Sequence, residues 1–134
     1  VVPAGHELAA LDAIDFEAVL DWDIVGLHAN SSISLAMRAA AAAAGRPLRQ
    51  RIQVTGLDAM CRMIDNGLGV GVMPQRAFEL VRGASRLVCV PLADAWATRR
   101  IELLARDFST LPVTARLLVD HLRGSAGATG QTTE

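Results

Sequence analysis

The chain has 134 residues, enough for one domain, and 51% of them are apolar, so there is material for a real core. Its formal net charge is −1 and its arginines are scattered, which argues against a nucleic-acid-binding face within these residues. No stretch reaches the roughly 20 apolar residues of a membrane helix, no signal peptide is visible, and Cys61 and Cys89 do not read as a disulfide framework.

The chain opens at Val1-Val2-Pro3 without a methionine, as expected of a piece cut from a longer protein. Asp15 to Leu20 reads as a short helix with Asp15 near its start, and Trp22 to Leu27 as a buried strand. Asn30, Ser31 and Ser32 are N-cap types, placed before a helix from about Ile33 to Ala44 that Gly45 and Pro47 end. Arg51 to Val54 alternates as a strand does. Leu57, Met60, Cys61 and Ile64 then recur at helical spacing up to Asn66-Gly67. Thr55 and Asp58 resemble a capping box. A third strand is predicted over Gly69 to Met73, a fourth helix over Gln75 to Arg82, and further strands over Leu87 to Leu92 and Arg100 to Ala105. Pro112 suits a helix first turn, followed by helix to Leu122 with Ala115, Leu118 and Leu122 on one stripe. From Gly124 to Glu134 the composition predicts a disordered tail.

Alternating helix and strand implies an α/β architecture with a mainly parallel sheet. Ligands of such sheets sit beyond the carboxyl ends of the strands, where helices begin. Three junctions there carry polar or flexible residues: Ala29-Asn30-Ser31-Ser32, Thr55-Gly56, and Pro74-Gln75-Arg76. Helix starts present free N–H groups and partial positive charge, which leans toward a small carboxylate as the guest. The plainer reading of each Ser, Thr or Asn is a cap and nothing more. The case for a site rests on three junctions at one edge.

Other motifs carry less. The glycines of Gly67-Leu68-Gly69-Val70-Gly71 leave a helix and enter a strand, the reverse of a dinucleotide fingerprint. His6, His28 and His121 are scattered, with no metal-ligand spacing, and no cofactor is implied. His28 lies just past a strand end but reads more simply as structural or solvent-facing. Cys61 sits on an apolar helix stripe and Cys89 within a strand, so both read as packing groups rather than redox switches. Arg100 and Arg106 read as solvated charges. No nucleophile–base pair or nucleophile elbow is present, so catalysis is not expected.

The opening Val1-Val2-Pro3-Ala4-Gly5-His6-Glu7-Leu8-Ala9, the segment Ile52 to Ile64, and above all Asn66-Gly67-Leu68-Gly69-Val70-Gly71-Val72-Met73-Pro74 together resemble the C-terminal effector-binding domain of LysR-type bacterial transcription regulators. The likeness runs from Val1 to Leu122. It implies a type II periplasmic-binding-protein-like fold of two α/β lobes, with a small organic effector in the cleft between them and no enzymatic role. Residues from about 14 to 92 would be one complete Rossmann-like lobe. Residues near 1–5 and 99–105 would be crossing strands, and 112–122 a helix of the other lobe. Within 1–123 the domain is partial, so the resemblance implies an uncovered apolar face that self-associates. DNA contact would belong to a helix-turn-helix outside these residues, and the location would be cytoplasmic. By the same likeness, the cleft wall falls on Ala29 to Ser32, Thr55-Gly56 and Met73 to Gln75. A periplasmic solute receptor of the same fold is the alternative.

Overall fold

A computed structural model describes residues 1–99 and 102–127. The chain forms two compact units, Val1–Thr98 and a second from Arg99 onward.

In the first unit, β2 (Ile24–Leu27) runs parallel to β3 (Gln50–Val54), with α2 (Ser32–Ala43) as the crossover between them. Side chains alternate across this sheet. Ile24 faces Phe16, Val19, Leu20, Met37 and Ala41 on one side. Val25 faces Met60, Cys61, Ile64 and Phe78 on the other. Helix α2 buries Ile33, Met37 and Ala41 at four-residue intervals. Helix α3 (Leu57–Asp65) buries Met60, Cys61 and Ile64. It ends at Gly67, whose φ of 74° lets the Leu68 N–H reach back to the Met63 carbonyl at 3.1 Å.

Two short helices flank this layer, α1 (Phe16–Val19) and α4 (Gln75–Val81). Asp15 precedes α1, but its side chain makes no capping bond. Instead the Phe16 N–H donates to Asp94 Oδ2 at 2.7 Å, from 78 residues away.

The predicted strand over Gly69 to Met73 is reduced to one bridge, Val70 beside Ile24. On the opposite edge of this segment, Gly71 exchanges hydrogen bonds with Val1, donating to its carbonyl at 2.9 Å and accepting from its amine at 2.7 Å. Gly69 has φ 141°, and a Cβ there would collide with the Asp23 carbonyl oxygen. The predicted strand over Leu87 to Leu92 is also shorter. It survives as β4 (Leu87–Val88), antiparallel to β1 (Val2–Pro3), whose two residues are all the partner it has in this register. Leu92 then bridges Ile14 in parallel.

In the second unit, residues 102–105 form no strand, and Leu104 is 89% exposed. An extended segment needs a neighbour to hold it. Arg100 and Ile101, the start of that predicted strand, lie outside the described residues. Helix α5 (Val113–Gly127) runs past Gly124, where a tail was expected, since no proline stops it and a lone glycine costs only about 1 kcal/mol. The rest of that expected tail, 128–134, lies outside the described residues. Val113, Leu117, Leu118 and Leu122 are exposed.

Candidate functional site

The register places three strand exits at one end of the sheet. Leu27 pairs with Val54 at the ends of β2 and β3. Val70 pairs in parallel with Ile24, so the chain leaves toward Met73 at the same end. Each exit leads into a helix, α2, α3 or α4 in turn.

At the first exit, Ser31 caps α2. Its Oγ accepts from the Ser34 N–H at 3.1 Å and donates to Ser34 Oγ at 2.8 Å. Ser34, fully buried, passes its own hydroxyl hydrogen to the Leu27 carbonyl at 3.1 Å. Gln50 Nε2 donates to the same carbonyl at 2.9 Å, crossing the space that Gly26 leaves empty. The hydroxyl of Ser31 is therefore spent inside the protein. Ala29, Asn30 and Ser32 are exposed beside it.

At the second exit, the N-cap of α3 is Gly56, not Thr55, and no side chain caps the helix. The Thr55–Asp58 capping box does not form. Asp58 Oδ1 instead lies 2.7 Å from where a Gly56 Cβ would be, and Asp58 pairs with Arg62 at 3.3 Å. An acidic group thus already occupies the positive end of α3. Thr55 is exposed.

At the third exit, Met73 is buried while Pro74 and Gln75 are exposed. All three line a partly open cavity of about 200 Å³. Its other walls include Val2, Ile14, Val90 and Leu92, with Cys89 and Thr98 at polar points. The residues at the first and second exits do not line it. The walls from β1 and from residues 89–98 were not among the sequence-predicted site residues. Their signal lay in the pairing of β1 with β4, a contact across 86 positions between Val2 and Val88 that no local pattern reveals.

Among the described residues, no group of three or more His, Cys, Asp or Glu is placed to hold a metal, and no helix is long and apolar enough to cross a membrane.

The family model described as the LysR substrate binding domain matches residues 1–127. The chain belongs to this family. Two solved structures share the fold of this LysR substrate-binding domain. One is HinK, a LysR-family transcriptional regulator from Pseudomonas aeruginosa (TM-score 0.66, 18% identity, covering 92% of this chain and 43% of that one). The other is the effector-binding domain of QuiR in complex with shikimate (TM-score 0.61, 17% identity, 69% and 43%). The chain spans under half the length of either. No curated protein matches it. The fold of the LysR substrate-binding domain is the type II periplasmic-binding-protein-like α/β class. The family match sets aside the periplasmic receptor as the reading of this chain.

Proposed function

We propose that this LysR substrate-binding domain is a non-catalytic sensor of a small organic effector, held at the sheet edge where the three strands end. One observation carries the reading: three strand-to-helix exits lie at one end of the sheet, and a cavity opens beside the third of them. In this reading Ala29 to Ser32, Thr55-Gly56 and Met73 to Gln75 form one wall of the effector cleft, with about 14–92 as its lobe. Residues 99–122 belong to the opposite lobe. Regulation of transcription, contact with DNA through a helix-turn-helix outside these 134 residues, and a cytoplasmic location follow from the family. QuiR's shikimate shows the kind of molecule such a domain accepts in that protein. A carboxylate finds support in the long helix α2, and opposition from Ser31, which takes the Ser34 N–H, and from Asp58 in the first turn of α3. The exposed leucines of α5 support self-association.

The test uses the four methionine methyls as reporters in a carbon-13 NMR titration with a panel of small organic acids, alcohols and amides. A binding compound is expected to move the Met73 signal while Met37, on the buried face of α2, stays still. If every binder moves only signals away from Met73, the proposed site is wrong.

A further inference from the structure

The cavity beside Met73 has a chemistry that the strand-end argument does not contain. Its wall side chains are mostly aliphatic, from Val2 and Ile14 to Val90 and Leu92, with backbone polar groups between them, and no Asp, Glu, Lys, Arg or His is among them. Polar side chains enter only as the Gln75 amide, the Thr98 hydroxyl and the Cys89 thiol. The Val1 amine donates to the Gly71 carbonyl at 2.7 Å, and burial lowers its pKa toward the neutral form, against smaller raising effects from Cys89 and Cys61.

A carboxylate entering such a space would lose its water and meet no charged side chain, a cost that an uncharged molecule of the same shape avoids. Size narrows the guest further. An aliphatic cavity of about 150 Å³ accommodates benzene, and this one, at about 200 Å³, has room for one ring with a small substituent. Pockets that bury drug-sized ligands run to roughly 300 Å³ or more, so this one encloses a smaller group.

We infer that this cavity takes an uncharged, mainly apolar molecule the size of a singly substituted ring, its one polar group directed to Gln75 or Thr98. This names the ligand class for the site proposed above and rests on that reading. It runs against the carboxylate that the helix starts suggest. Neutrality is a property of this chain's wall residues, and a cation at Gln75 would reverse it.

Benzyl alcohol and benzoate share a ring and differ in charge, so they are the probes. Each is titrated into the 134-residue chain at pH 8, with the Met73 methyl signal and the rate of Cys89 alkylation as readouts. The expected result is that benzyl alcohol moves Met73, slows Cys89 alkylation and binds at least tenfold tighter than benzoate. Val72→Phe fills the space and should abolish binding. Should that variant fail to fold, Ala97→Phe does the same from the opposite wall. Gln75→Arg should raise benzoate affinity about tenfold relative to benzyl alcohol. Benzoate binding as tightly as benzyl alcohol to the unaltered chain, with Met73 shifting, overturns the inference and leaves effector binding at this edge intact. No response of Met73 to either probe overturns the inference. No response of Met73 to the wider panel removes the site itself.

Discussion

Ser34 has no exposed surface, and its hydroxyl lies between Ser31 and the Leu27 carbonyl. Removing it strands the Ser31 hydroxyl and takes one of two donors from that carbonyl, at a net cost of about 1–2 kcal/mol. Ser34→Ala should lower the urea midpoint without changing the slope of the unfolding curve. Cys61 makes a different prediction. Burial pushes its thiol up, against a lowering effect from the Val1 amine. The folded state then keeps its proton while the unfolded state gives it up, so stability falls as pH rises through the ordinary thiol range. Urea midpoints should drop between pH 7 and 9.5, and Cys61→Ala should remove that part of the drop. The sequence placed Cys61 on a buried stripe from its spacing alone, and Ser31 among the cap candidates from its type. It offered no sign of Gln50 or Ser34, because their partner is a backbone carbonyl seven residues from one and 23 from the other.

Helices were legible where their faces repeat. The buried residues of α2 and α3 follow from spacing, and their ends follow from Gly45 and Gly67. Strands fared worse, since an apolar run says nothing of its neighbour. Residues 69–73 and 87–92 have strand-like sequences, but how far each pairs depends on neighbours distant in sequence, β2 and Val1 for the first and the two residues of β1 for the second. Caps divide in the same way. Ser31 caps its helix locally, whereas α1 relies on Asp94. Asp94→Ala should therefore cost about 1 kcal/mol, seen as a lower thermal midpoint, and Asp15→Ala should cost less. The candidate site shares this split: its exits follow from chain order, and the far wall of its cavity does not.

For the molecule as a whole, α5 carries exposed apolar side chains, Val113, Leu117, Leu118 and Leu122, among the described residues of the second unit. Burying a leucine fully gains about 1.5–3 kcal/mol, enough in combination to favour pairing of two chains at micromolar concentration. Sedimentation velocity should show association that rises with concentration, and Leu118→Glu should weaken it. A clean monomer at every concentration would reject the idea. The first unit poses a question of timing rather than surface. Val2 has its strand partner at Val88, and Val1 meets Gly71. In folding, the first residues of the unit must wait for some of its last, because long-range pairings close only after the intervening chain is in place. Helices α2 and α3 can order around β2 and β3 well before then. The cavity, walled by both ends of the unit, is complete only when that final strand docks, so its shape reports whether the two ends have met.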